Sequence, residues 1–245
     1  MKFSYATTAP ANQIHGFTGN RGMGIGTSGA TWWECSTPAS VTAGTLYEIE
    51  WTIKSNGEYN RIINGNHNAG SGGGGHSSYS GHMYLFAAHE SATASGFVPS
   101  YMCQSKLYYT QIYENDVMVR NFVPCRNSSG TVGLYDLIEK KFYGNAGSGT
   151  FTAGEFVSKY EFMLTYPALS DIPDFPTLPS EYTQLDYIES TGTQYIDTGF
   201  VPNQDTRVDV QFSTPTVADG GVFVYGSGVD SGTSAFELYP WSGAL

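Results

Sequence analysis

Two carboxylates at alternating positions of a predicted β-strand suggest the most specific chemistry in this sequence. In residues 46–53 (LYEIEWTI), Glu48 and Glu50 point to one face, because successive side chains of a strand alternate. Two carboxyl groups on one face could perform glycoside hydrolysis, with one as nucleophile and the other as acid. A catalytic pattern of this kind would have a third acidic residue at the next alternate position, but Thr52 occupies it. Trp51 faces the opposite way. We interpret the two glutamates as a solvated strand face and expect no catalytic residues.

Aromatic side chains beside amides are typical of carbohydrate binding, because sugar C–H groups stack on rings while polar groups pair with hydroxyls. Adjacent tryptophans on a strand point to opposite faces, so one of Trp32 and Trp33 is expected to be exposed. Residues 64–68 form a predicted polar loop at a binding edge. The alternatives are core packing for each tryptophan and a simple turn for the loop. The candidate ligand-binding residues are Trp32, Trp33, Asn66, His67, Tyr239 and Trp241.

Metal-binding and hydrolase patterns are weak. His76 and His82 flank a glycine-rich stretch, but no carboxylate lies beside them in sequence, so exposed loop histidines are expected. No Gly-x-Ser-x-Gly motif indicates a serine hydrolase. We expect no cofactor, with calcium as the open alternative. The aspartates that could bind calcium, although without the spacing of a compact calcium loop, are Asp205, Asp209, Asp219 and Asp230.

The composition predicts β-structure and excludes two classes of partner. Charged residues make up only 13%, against 15% aromatics, 30 glycines and 18 tyrosines, which suits short strands joined by tight turns. The formal net charge of −11 argues against binding nucleic acid or an anionic membrane, because both need clustered cations. Residues 1–10 lack an apolar segment, so no signal peptide is expected. Free buried thiols are expected at Cys35, Cys103 and Cys125.

Alternating apolar and polar residues predict many short strands. Ile49, Trp51 and Ile53 share one face of the first clear strand, and residues 83–88 form an apolar run that predicts a strand buried on both sides. Residues 107–113 and 117–123 flank a hairpin loop. Such a density of strands is typical of a sandwich or barrel. Further predicted strands are 133–137, 141–143, 194–197, 206–212, 221–225 and 235–239.

Two stretches interrupt the strand pattern. Residues 69–78 are rich in glycine and serine and predict a flexible loop. Residues 167–179 contain four prolines and predict an extended linker, which divides the chain into 1–166 and 180–245. The second piece has few strands, so it is expected to pair either with the first piece or with another copy of the chain.

Residues 185–200 (LDYIESTGTQYIDTGF) form one long motif. A second consists of residues 120–126 (RNFVPCR), with GLYD at 133–136, KFY at 141–143 and NAGSGTF at 145–151. The first resembles the opening, and the second the closing part, of concanavalin A-like (LamG-like) sandwich domains of bacteriophage and prophage tail or surface proteins. The resemblance implies an all-β, two-sheet antiparallel jelly-roll sandwich. Because the opening segment follows the closing one, it also implies a circularly permuted order.

The resemblance further implies a non-catalytic, lectin-like adhesion or surface module of a phage structural protein. Its expected partner is a glycan on the bacterial cell surface, and its expected location is the virion surface or outside the cell. A homo-oligomer, or an assembly with other structural subunits, is also expected. The alternatives are a self-assembling subunit that swaps residues 180–245 between copies and a relative of glycoside hydrolases.

Overall fold

The computed structural model describes residues 13–19, 42–53, 58–71, 81–93, 96–100, 102–157, 177–203, 205–215, 224–228 and 235–241. In these ranges all regular elements are β-strands, and all their pairings are antiparallel, so the all-β prediction is confirmed. In chain order the strands are β1 Gln13–Gly19, β2 Tyr47–Ile53, β3 Glu58–Ile63, β4 Asn66–Ser71, β5 Tyr84–Leu85, β6 Ala88–Thr93, β7 Gly96–Ser100, β8 Gln104–Glu114, β9 Val117–Arg126, β10 Val132–Asp136, β11 Lys141–Tyr143, β12 Thr152–Ala153, β13 Thr183–Gln184, β14 Ile188–Thr191, β15 Ile196–Asp197, β16 Thr206–Ser213, β17 Tyr225–Gly228 and β18 Ala235–Trp241.

The strands form two main sheets, as the sandwich prediction requires. The larger sheet has the order β11-β10-β9-β8-β16-β2-β3-β4, and the smaller one has the order β1-β18-β17-β5-β15. β13 pairs with β9, β14 pairs with β8, and β12 pairs with β14. β6 and β7 form a separate hairpin. The segment after the predicted linker therefore contributes strands to the interior of the larger sheet.

The core lies between the two sheets and follows from strand alternation. Trp51 in β2 and Val210 in β16 are at most 1% exposed, and they share one apolar cluster with Tyr225 and Leu238 of the smaller sheet. Burying such a side chain stabilises the fold by about 1.5–3 kcal/mol. Because alternate residues of a strand face opposite ways, Glu50 of β2 lies on the outer face of the larger sheet.

A second apolar cluster covers part of that outer face. Its buried members lie on β8, β9 and β10 and in the turn that follows. Tyr182, just beyond the predicted linker, packs on it with a ring centroid 4.8 Å from that of Tyr135. The cluster consists of Tyr109, Val123, Cys125, Tyr135 and Leu137, with Tyr108, Phe142, Leu178 and Tyr182 packed against it. Leu178 and Tyr182 thus cover the outer face over β8, β9 and β10 rather than over β2, β3 and β16.

Most predicted strands in the described ranges are confirmed, with shifted ends. The predicted strand 83–88 is wrong in extent, because regular pairing covers only Tyr84–Leu85 and Phe86 has a positive φ of 65°. Its burial on both sides is confirmed, since residues 83–88 are all buried. The predicted three-residue hairpin loop is the two-residue turn Asn115–Asp116, with φ values of 49° and 63°. Positive φ at both positions is typical of a tight hairpin turn.

Two predicted loops are partly strand in the structure. Asn64 and Gly65 make a two-residue turn, but Asn66 and His67 belong to strand β4, as do the first residues of the predicted glycine-rich loop. Residues 72–80 of that loop lie outside the described ranges, as do residues 167–176 of the predicted linker. The chain on either side of the linker is paired, since the Val157 N–H donates to the Gln184 carbonyl over 3.3 Å.

Candidate functional site

A row of six side chains crosses the outer face of the larger sheet. The strand registers place Glu50 opposite Asp209, Asp209 opposite Gln111, and Gln111 opposite Asn121. In the other direction Glu50 lies opposite Ile62, and Ile62 lies opposite His67. Neighbouring strands are about 4.8 Å apart, so five steps span roughly 24 Å. We call these six residues the polar row, in which Ile62 is the apolar member: His67, Ile62, Glu50, Asp209, Gln111 and Asn121.

The positions beside the polar row are also polar or aromatic. On one side Thr52 lies opposite Arg207, which lies opposite Tyr113. The Arg207 guanidinium carbon is 3.7 Å from the centroid of the Tyr113 ring, which is a cation–π contact. On the other side Glu48 lies opposite Gln211. The site therefore offers charged groups, amides and a phenol ring on one surface.

Side-chain hydrogen bonds orient the carboxylates of β2. Asn60 donates its amide to Glu50 Oε1 over 3.0 Å, and the Tyr109 hydroxyl donates to Glu48 Oε1 over 2.9 Å. A carboxylate has two acceptor oxygens, and each of these hydrogen bonds uses one of them. Glu48 is exposed and Glu50 is half-buried, so both can be reached from solvent. A ligand hydroxyl would thus meet acceptors that are already positioned.

A hydrogen-bonded chain of neutral groups continues the polar row through β8 and β9. The Tyr113 hydroxyl donates to Gln111 Oε1 over 2.9 Å, and the Gln111 amide donates to Asn121 Oδ1 over 3.4 Å. Asn121 Nδ2 and Asn60 Oδ1 are buried without a hydrogen-bond partner in the described part of the chain. Such groups cost about 1–3 kcal/mol, and a partner that reaches them recovers that energy.

Asp209 is the most perturbed acid on this face. Burial raises the pKa of Asp209 to about 7; the nearby Arg207 charge opposes this rise, while Glu50 and Glu48 add to it. Arg207 Nε lies 3.2 Å from Asp209 Oδ1, and its Nη1 lies 3.7 Å from Asp116 Oδ1. Burial and the Asp209 charge also raise the pKa of Tyr113. At neutral pH the carboxyl group in the middle of the polar row is thus close to its titration midpoint.

The predicted ligand-binding residues do not all come together at this site. His67 forms one end of the polar row and is exposed, while Asn66 pairs with Ile63 at the adjoining turn. Tyr239 and Trp241 lie in β18 of the smaller sheet, opposite His15 and Gln13 respectively. Trp32 and Trp33 lie outside the described ranges. Trp51 is buried in the core, as its apolar alternation predicts.

Sequence reasoning missed the role of β8 and β16 in the site. From the sequence, Asp209 is a candidate calcium ligand only, and Gln111, Asn121 and Arg207 are not candidates. The alternation of Arg207 and Asp209 with the wholly buried Val208 and Val210 shows that those two side chains face outward. That pattern does not show that β16 lies between β2 and β8, which is what brings Asp209 next to Glu50.

The metal predictions remain untested. The described residues contain no group of three metal-ligating side chains, and Asp219, Asp230 and His76 lie outside the described ranges. His82 is exposed and lies outside the strands, as expected, and the fold brings to it a carboxylate that is distant in sequence, since its Nδ1 lies 2.9 Å from Asp197 Oδ1. The same Asp197 oxygen accepts the Gly199 N–H over 2.9 Å, so this carboxylate also holds a turn.

Comparison with known proteins identifies no relative. No protein-family model, no curated protein and no solved structure matches the chain. Among the described residues, no helix is long and apolar enough to cross a membrane.

Proposed function

We propose that this chain is a non-catalytic, lectin-like module that binds a bacterial surface glycan through the polar row. The observation that carries the proposal is the row itself, in which carboxylates and amides lie near the Tyr113 ring on the outer face of the larger sheet, with Glu50 half-buried and His67 exposed. Carboxylates and amides are suited to pair with sugar hydroxyls, and a phenol ring is suited to stack on sugar C–H groups. The module would act at the virion surface or outside the cell, as part of a phage or prophage structural protein.

A permuted jelly-roll of the concanavalin A-like kind is part of the same proposal. Two pairings support it. Phe156 bridges Leu185, so the chain before the linker lies beside the chain after it. Gln13 pairs with Trp241, so the first described strand lies beside the last. A circular permutation links the original chain ends and creates new ends elsewhere. Each pair of ends must therefore lie side by side, which these two pairings support.

The direct test is glycan binding by variants of the polar row. We expect Glu50→Ala and His67→Ala each to weaken binding on an array of bacterial polysaccharides by about tenfold or more, since each removes a solvent-accessible hydrogen-bonding group from the row. Glu181→Ala changes an exposed carboxylate outside the row and should leave affinity unchanged. If the row variants bind normally while Trp32→Ala or Trp241→Ala abolishes binding, the site lies elsewhere and the proposal fails.

A glycoside hydrolase is the second candidate, and one observation favours it. The sequence lacks a third acid on β2, but the structure brings Asp209 directly opposite Glu50. Facing side chains on adjacent strands have Cβ atoms about 4.5–5.5 Å apart, so two facing carboxylates can reach the same ligand, as the acid pair of a glycosidase must. Release of reducing sugar that disappears in Glu50→Gln would favour this function over simple binding.

A further inference from the structure

One asparagine in the β3–β4 turn also holds the start of β2. Asn64 and Gly65 form that turn with φ values of 48° and 76°, and the pairing of Ile63 with Asn66 closes it. The Asn64 N–H donates to the Glu48 carbonyl over 2.9 Å, and Asn64 Oδ1 accepts the Glu48 N–H over 2.8 Å. We call these two hydrogen bonds between Asn64 and Glu48 the Asn64 clasp.

The residue after Asn64 makes a covalent change of its side chain possible. The main-chain nitrogen of Gly65 can attack the side-chain carbonyl carbon of Asn64, because glycine has no side chain to hinder the approach. A Cβ atom placed at Gly65 would meet nothing within 4 Å, so the space beside the turn is open. Both residues are exposed, so water reaches them. The turn therefore holds the reacting groups and the solvent for deamidation.

The atoms of this deamidation balance with water as the only other reactant. The Gly65 nitrogen loses its proton and bonds to Asn64 Cγ, while the Cγ–Nδ2 bond breaks and ammonia leaves with that proton. Water then opens the cyclic imide at one of its two carbonyl groups. Opening at Cγ gives aspartate. Opening at the main-chain carbonyl gives isoaspartate, in which the main chain runs through the former side-chain carbons.

The Asn64 clasp opposes the first step in the folded chain. Attack requires the Asn64 side chain to rotate until Cγ faces the Gly65 nitrogen. Its Oδ1 is instead held by the Glu48 N–H, and its Nδ2 donates to the Leu46 carbonyl over a longer 3.5 Å, so the amide is directed towards β2. Rotation breaks these hydrogen bonds, and local opening of the turn is the event that releases the side chain.

We propose that Asn64 is a deamidation site of this protein, and that the Asn64 clasp sets the rate by releasing the side chain only when the β3–β4 turn opens. The two products differ in their effect. Aspartate keeps the main chain and an acceptor for the Glu48 N–H. Isoaspartate lengthens the main chain of the turn, so the pairing of Ile63 with Asn66 and the clasp cannot both be kept.

Peptide mapping by mass spectrometry tests the site and the clasp together. The full chain is incubated in mildly alkaline buffer, with and without denaturing urea. We expect deamidation at Asn64 in both solutions, about tenfold or more faster in urea because unfolding removes the clasp. No product at Asn64 in either solution, or product in urea alone, would overturn the site in the folded protein. Equal rates in the two solutions would overturn control by the clasp.

Asn115 is a matched control within the same sample. It is also exposed and also begins a two-residue turn with positive φ, but the next residue, Asp116, has a side chain beside the attacking nitrogen. We expect slower conversion at Asn115 than at Asn64 in urea, where contacts of the fold no longer differ between them. Equal conversion in urea would refute the role given to Gly65.

Thermal unfolding tests the consequence for the fold. Ion exchange separates the deamidated chains, which carry an additional negative charge, and the peptide map gives their isoaspartate content. We expect the isoaspartate-rich fraction to have a lower Tm than the unmodified chain. Asn64→Asp, which reproduces the other product, should lose less because its main chain is unchanged. A Tm of the isoaspartate-rich fraction equal to that of the unmodified chain would refute the structural effect.

Discussion

At the scale of single residues, the clearest buried charge outside the candidate site is Asp136. Its side chain is wholly buried, and Oδ1 accepts the N–H groups of Asn121 and Ile138, both over 2.9 Å. Arg120 approaches its other oxygen to 3.4 Å and also pairs with Glu139 at 2.5 Å. Burial raises the pKa of Asp136, and the two N–H donors and Arg120 oppose this rise. This carboxylate holds the β10–β11 turn through the Ile138 N–H.

We predict that Asp136→Ala lowers the free energy of unfolding by about 3–5 kcal/mol, because it leaves the partly buried Arg120 without one carboxylate and two N–H groups without an acceptor. Urea unfolding followed by tryptophan fluorescence measures the change. Glu181→Ala removes an exposed carboxylate and should stay within about 0.5 kcal/mol. Equal decreases in the free energy of unfolding would show that the contacts of Asp136 contribute no more to stability than an exposed carboxylate does.

At the scale of elements, close packing at β10 and β11 requires a glycine. A Cβ atom at Gly133 would lie 2.3 Å from the backbone oxygen of Tyr143 and 2.7 Å from the Phe142 ring. A Cβ atom at Gly144 would meet its nearest neighbour, again the Phe142 ring, at an ordinary 3.5 Å. The two glycines thus sit beside the same ring but tolerate a methyl group very differently.

We predict that Gly133→Ala destabilises the fold by about 1–3 kcal/mol, the usual cost of overpacking, since a backbone oxygen cannot move aside cheaply. Gly144→Ala is the matched control and should be nearly neutral. Both are measured by thermal and urea unfolding. A neutral Gly133→Ala would mean that β10 and β11 separate readily and that this hairpin contributes little rigidity.

At the scale of the whole molecule, the last third of the chain supplies the centre of the larger sheet. β16 pairs with both β2 and β8, and its Val208, Val210 and Phe212 are wholly buried. Without β16 those two strands would present unpaired edges and apolar side chains to water. In each sandwich, β16 comes either from the same chain or from a neighbouring copy. The hypothesis of a swapped assembly corresponds to β16 from a neighbouring copy.

In place of the homo-oligomer expected from the sequence, we predict that the chain is a monomer, because Val157 and Gln184, on either side of the linker, adjoin within one chain. Light scattering after size exclusion, over a wide concentration range, measures the mass. Deleting residues 180–245 should leave residues 1–179 unfolded or aggregated. Ladders of higher mass in the intact chain, lost on that deletion, would support self-assembly by swapping instead.

The sequence by itself determined the features that depend on near neighbours. Alternation predicts β2 with Trp51 inside and Glu50 outside, and turn residues predict the β8–β9 hairpin, since both patterns are written within a few consecutive residues. Only the tertiary structure decided that β16 lies between β2 and β8 and that Asp209 therefore faces Glu50. These two residues are far apart in the chain, and their register depends on how whole strands pack, which no local pattern encodes.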